Sequence, residues 1–183
     1  MPEGGYRIRD QQGIHFITFA VVEWVDVFTR SMYCDIVVEG LRHCVREKGL
    51  CLHAWIIMSN HIHMIASAKE GYQLSSILRD FKKYTAIQLL DAIKTNDGES
   101  RKDWMMVIFR KAGKSNSRNS YHQFWRQDNK PIEMANNQMM DQRLNYLHNN
   151  PVTAGIIEDE TSYIYSSARD YAGIHGLIEI EKL

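Results

Sequence analysis

Apolar positions fall into two rhythms along the chain. Residues 13–22, GIHFITFAVV, are rich in β-branched and aromatic types and predict a first strand. From Ser31 to Lys48 the apolar residues Ile36, Val37, Leu41, Cys44 and Val45 recur at helical spacing, with Gly49 as a natural stop. Leu50 to Met58, LCLHAWIIM, predicts a second strand, and His61 to Ala66 a third after a Ser-Asn turn signal, so the two read as a hairpin. Leu74 to Ile93 carries the clearest helical stripe: Leu74, Ile77, Leu78, Phe81, Tyr84, Thr85, Leu89, Leu90 and Ile93, opposite Arg79, Asp80, Lys82, Lys83 and Gln88. The stripe predicts Tyr84 in the core. Asp103 to Phe109 predicts a short helix, 113–120 (GKSNSRNS) a flexible loop, and His122 to Gln127 a further strand. Asn137 to Asn149 predicts a helix closed by Pro151, because proline disfavours the helical conformation just before itself.

The order is strand, helix, strand, strand, helix, then a strand and further helices. It predicts an α+β fold of the ferredoxin-like kind: an antiparallel sheet with helices on one face and a C-terminal helix bearing Tyr146. No internal repeat or second domain is visible, so residues 1–183 are expected to form a single domain.

Charge sharpens this picture by its distribution. The net charge is zero, which argues against a surface coated in phosphate-binding groups. Yet Arg101, Lys102, Arg110, Lys111, Lys114 and Arg118 stand against Asp103 alone, a local net of +5. Residues 158–183 form an acidic tail, with six acids against Arg169 and Lys182. A basic segment beside an acidic tail is compatible with a confined nucleic-acid groove, although on charge alone solvated surface is the favoured reading of both. No apolar run approaches the roughly 18 residues of a membrane span. The polar start lacks an apolar signal region, so a cytoplasmic protein is expected. Cys34, Cys44 and Cys51 form no CxxC pair and read as reduced, packed thiols.

The candidate chemistry begins at MSNHIHMI, residues 58–65. Strand residues i and i+2 share a face, so His61 and His63 project together and can converge on one divalent cation. Two ligands hold a metal poorly; the alternative is an ordinary strand with two locally bonded histidines. On the helix before Pro151, Tyr146 and Asn150 share a face. Asn150 offers a hard amide oxygen suited to Mg or Mn, and Tyr146 a phenol that can act as a nucleophile. The competing expectation for Tyr146 is a ring packed on the sheet with its hydroxyl at the surface. Tyr121 is expected to be exposed or to stack on a base, and Tyr163, Tyr165 and Tyr171 to pack the tail onto the body. His15 and His53 are expected on neighbouring strands, bordering the site or buried. His148 is expected to point away from Tyr146, because i and i+2 do not share a helix face.

SNHIHMI together with YLHNNPVTAG resembles the HUH-type single-tyrosine transposases, and within them the REP-associated tyrosine transposases. GIHFITFAVVEWVDVF, HQFWRQDNKPIEM and YIYSSARDY resemble further stretches of that family, so the likeness covers about residues 13–171. It implies a DNA transposase acting as a single-stranded DNA endonuclease and strand transferase. In that reading Tyr146 forms a 5′-phosphotyrosine, His61 and His63 bind divalent Mg or Mn, and Asn150 is the third ligand. It also implies hairpin DNA with single-stranded flanks as partner and no membrane association. Insertion-sequence relatives are dimers that exchange tyrosine helices while REP-associated ones can be monomers, so a homodimer stays open. The basic segment is expected to contact the DNA backbone.

Two other readings stay in view. One is a domesticated ferredoxin-like nucleic-acid-binding module without cleavage activity, which needs no complete trio of His61, His63 and Tyr146. The other is a metal-dependent hydrolase with a water nucleophile, in which Tyr146 is dispensable.

Overall fold

The computed structural model describes residues 7–116 and 121–183. Four strands, β1 (His15–Ala20), β2 (Leu50–Ile57), β3 (His61–Ala68) and β4 (Ile132–Glu133), form one sheet in the order β2-β3-β1-β4. Neighbouring strands pair antiparallel throughout. β3 therefore lies between β1 and β2, which run parallel to each other and are joined by helix α1 (Ser31–Glu47): the split β-α-β arrangement of ferredoxin-like folds. Helix α2 (Leu74–Thr95) makes the second crossover and packs on α1. Gly40 sits where the two helices meet; a Cβ there would lie 3.0 Å from the Thr85 methyl. Gly49 turns the chain from α1 into β2 with φ of 73°, a conformation that favours glycine.

The sheet is covered on both faces. Ile17, Phe19, Trp55, Ile57, Ile62 and Met64 pack with α1, α2 and helix α3 (Lys102–Lys114) in one cluster. Phe16, Ala54, Ile56 and Ile65 face Leu147 of helix α4 (Asn137–Thr153) in a second. This double cover is why every residue of β2 is buried and the strand shows no clean alternation. A register shift between Leu52 and Ala54 breaks its phase further. The extra residue, His53, is bonded to Ser67 Oγ at 2.9 Å and to the Glu181 carbonyl at 2.7 Å.

Several expectations need correction. Residues 122–127 do not form a sheet strand; Trp125 makes a single bridge to Val21, and the fourth strand is the short β4. Pro151 lies inside α4, in its last turn, and is buried there. The helix continues past it only to Thr153, with the Ala154 amide donating to the Asn150 carbonyl at 3.0 Å. α3 runs through residue 114, past the expected end at Phe109. Tyr84 is half exposed on the flank of α2. His15 and His53 are on non-adjacent strands, and both are buried.

The acidic tail is built into the fold. The Ile57 amide donates to the Tyr165 carbonyl, and the Ser167 amide to the Trp55 carbonyl, both at 2.9 Å, along the free edge of β2. Tyr163 and Tyr171 hydroxyls donate to the Ile57 and His53 carbonyls. The carboxylate of Glu99 is wholly buried and accepts from Arg30, Arg101 and Tyr33. That network ties the start of α1 to the turn before α3.

Candidate functional site

His61 and His63 lie side by side on the α4 face of β3, with ring centroids 4.7 Å apart. β3 pairs with β1 so that His61 stands opposite Ala20 and His63 opposite Thr18. The small Ala20 and Thr18 leave the imidazoles room. Asn60 bonds through Oδ1 to His61 Nδ1 at 2.7 Å, while its Nδ2 donates to the Trp24 carbonyl at 3.3 Å. An amide oxygen can only accept, so His61 Nδ1 carries the hydrogen and the neutral ring keeps its lone pair at Nε2. Thr18 Oγ1 is bonded to His63 Nδ1 at 2.8 Å. His63 Nε2 is buried and has no hydrogen-bond partner among the described residues.

Both rings are held neutral. Burial lowers His61, and burial, then His61 and Arg143, push His63 down to about 3. An orphaned buried nitrogen is costly unless something fills it. Neutral imidazoles, each with Nδ1 engaged by an oxygen and Nε2 left over, match the way metal-bound histidines are oriented. The pair therefore fits a divalent cation as two donors. Among the described residues, no group of three or more His, Cys, Asp or Glu completes such a site.

α4 brings Tyr146 to this pair within the same chain. Its ring lies 5.6 Å from His63 and 6.1 Å from Phe16, centroid to centroid, and it is 52% exposed. Asn136 caps the helix by accepting from the Met139 amide. Leu147 fixes its rotation by inserting into the second core. One turn before Tyr146, Arg143 holds its guanidinium 5.2 Å from the Phe16 ring centroid. Asn150 lines an open cleft of about 620 Å³ with Tyr146, Asn145 and Asn149. No hydrogen bond joins Asn150 to either histidine among the described residues. His148 points the other way, bonded to Ser167 Oγ at 2.8 Å and packed on Tyr171.

The basic segment divides. Arg101 is engaged by Glu99 and the Asp26 carbonyl, and Lys102 reaches Asp97 at 3.6 Å. Arg110, Lys111 and Lys114 are on α3, which packs against residues 22–24, and Arg110 and Lys111 are exposed there. Arg118 lies outside the described residues. Thr18, Trp24, Asn60 and Arg143 also border the histidines, with Arg126 over the Trp24 ring, and of these the sequence pattern marks only Arg143. Only the pairing register of β1 and β3 exposes Thr18. Arg143 shares the helix face of Tyr146 and is legible by its i−3 spacing. A larger cleft of about 670 Å³ between α1 and α2, lined by His43, Asp80 and Tyr84 among others, is on the opposite side of the sheet. It holds none of the predicted site residues.

The family model for IS200-like transposases matches residues 11–109. A solved REP-associated tyrosine transposase bound to a REP hairpin overlays with a TM-score of 0.64 at 18% identity, covering 97% of this chain and 90% of that one. It shares the fold. A candidate transposase from Deinococcus radiodurans R1 overlays with a TM-score of 0.44 at 16% identity, over 81% of this chain and 97% of the other. No curated protein sequence matches the chain. No helix among the described residues is long and apolar enough to cross a membrane.

Proposed function

The chain belongs to the IS200-like transposase family, and from that premise we propose that it is a metal-dependent single-strand DNA nuclease and strand transferase whose nucleophile is Tyr146. The observation that carries this reading is the ring contact of Tyr146 with His63, 5.6 Å between centroids, beside an imidazole nitrogen with no partner among the described residues. His61 and His63 would hold the cation, Mg or Mn, with Asn150 as candidate third ligand from the cleft it shares with Tyr146. A divalent ion there supplies charge stabilisation at a scissile phosphate. Tyr146 Oη attacks phosphorus; its proton leaves as the O–P bond forms. The P–O3′ bond breaks and the departing oxygen takes up a proton as a 3′-hydroxyl. The 5′-phosphotyrosine keeps the bond energy, so a second 3′-hydroxyl can reverse the step and join strands. Arg143 lies close enough to add positive charge beside the tyrosine. Hairpin DNA with unpaired flanks is the substrate class this reading favours, since the solved relative of the same fold is bound to a REP hairpin.

The test is a labelled hairpin strand incubated with the protein and Mn or Mg, then resolved on a denaturing protein gel. A covalent protein–DNA band is expected, absent with Tyr146→Phe and with chelator. Cleavage that survives Tyr146→Phe would mean a water nucleophile. Binding without any adduct, across hairpins of varied sequence, would mean a binding module.

A further inference from the structure

Two exposed aromatics touch the histidine pair. Tyr146 is one; Trp24 is the other, 49% exposed, with its ring 6.0 Å from His61. The four rings succeed one another as Trp24, His61, His63, Tyr146, at 6.0, 4.7 and 5.6 Å. Arg126 places its guanidinium 5.5 Å from the Trp24 centroid. Its backbone is pinned on both sides: its amide donates to the Ala20 carbonyl at 2.8 Å, and its carbonyl accepts from Lys82 at 2.7 Å.

The fold does not need this indole. Trp24 belongs to neither core cluster. Its φ is 53°, and that of Glu23 is 52°. Two successive non-glycine residues in the left-handed region are strained, most of all with a bulky side chain, and such strain concentrates at binding and catalytic sites. The Trp24 carbonyl has a structural task in receiving Asn60, but any side chain would leave that carbonyl in place. Two other exposed aromatics lie elsewhere: Tyr84 in the cleft between α1 and α2, and Tyr72 beside Gly49.

We infer that Trp24 is a stacking platform for an unpaired base of the strand being cut, with the Arg126 guanidinium, which lies over its ring, to meet that strand's phosphate. An exposed indole with a guanidinium over its ring is a pairing that single-strand binding uses, since every base has a π-face and every nucleotide a phosphate. Stacking at Trp24 would anchor the strand two rings from the Tyr146 nucleophile and so set which phosphodiester lies over the histidines. This rests on the reading of the site as a DNA-cleaving centre.

The test measures binding of a labelled oligothymidylate strand in chelator, where no cleavage occurs, together with melting temperature. Trp24→Ala is expected to weaken binding about tenfold and Trp24→Phe to restore most of it. Strand-induced quenching of tryptophan fluorescence should be present in the wild type and reduced in Trp24→Phe. Trp24→Gly should melt no lower than the wild type, because glycine relieves the left-handed strain, yet bind as weakly as Trp24→Ala. Equal affinity of Trp24→Ala and wild type, with the Tyr146 adduct still formed, overturns this inference and leaves the cleavage reading intact. Loss of affinity that tracks a lowered melting temperature and is not rescued by phenylalanine also overturns it. A wild-type protein that neither binds single strands nor forms an adduct overturns both.

Discussion

At the residue scale, the candidate site is two histidines whose Nδ1 atoms are engaged, with His63 Nε2 lacking a hydrogen-bond partner among the described residues. The period of a strand makes the pair legible in sequence, because i and i+2 must share a face. Their partners are not legible there. Thr18 meets His63 only because β1 and β3 align in one register, and a shift of one residue would turn Thr18 away. Thr18→Val keeps the shape and removes the hydroxyl that orients the ring. It should lower metal-supported cleavage or metal affinity by about 10- to 100-fold, read as a shifted midpoint in a Mn titration of adduct formation. An unchanged midpoint would remove Thr18 from the site.

Elements are more legible than their ends. The hairpin, α1 and α2 follow their predicted ranges closely, because burying one apolar stripe or face outweighs the other forces that shape them. The failures have specific causes. Residues 122–127 carry strand-forming types, but Phe124 and Trp125 serve as core wedges against Phe28, with rings 6.3 and 5.8 Å from it, rather than as ladder residues. Tyr84 lies one position off the buried line of Phe81, Thr85, Leu89 and Ile93, which carries its ring to the flank of α2. Pro151 cannot donate to the Leu147 carbonyl, and α4 ends two residues beyond it. α3 holds the exposed part of the basic segment next to residues 22–24. Charge reversal at Arg110, Lys111 and Lys114 should weaken hairpin binding and flatten its dependence on salt, by roughly 0.7–0.9 in log–log slope for each phosphate no longer neutralised. Identical slopes for variant and wild type would mean that α3 does not face the DNA.

At the scale of the whole molecule, buried titratable groups set the pH response. Burial pushes His148 down to about 4 and, with His61 and Arg143, His63 to about 3. The folded state therefore disfavours their protonation relative to the unfolded chain. That stability is complete above about 6.5, the ordinary histidine value, and is lost progressively as pH falls toward about 4 for His148 and about 3 for His63. Glu99 is lowered to about 2 by its hydrogen bond from Arg101, with Arg30 adding and burial opposing. Its contribution is present above its ordinary 4.5 and is lost as pH falls through about 2. Melting temperature should accordingly fall in two stages on acidification. Glu99→Gln should abolish the second stage and spare the first; a single stage in the wild type, below 4.5, would contradict this assignment of the histidines. Glu99→Ala removes the carboxylate shared by two partly exposed guanidinium groups and the Tyr33 hydroxyl and should cost about 1–3 kcal/mol, measured by denaturant unfolding.

The tail that runs along β2 has a kinetic consequence for self-association. α4 is followed by residues 163–167 zipped to the β2 edge, by His148 clasped to Ser167, and by the Glu181 amide donating to the Leu52 carbonyl. Handing α4 to a second copy would mean stripping that latch from its own sheet first. An exchanged dimer of this chain would thus form at the pace of partial unfolding, insensitive to protein concentration in its slow step, while the latched chain keeps Tyr146 beside its own histidines.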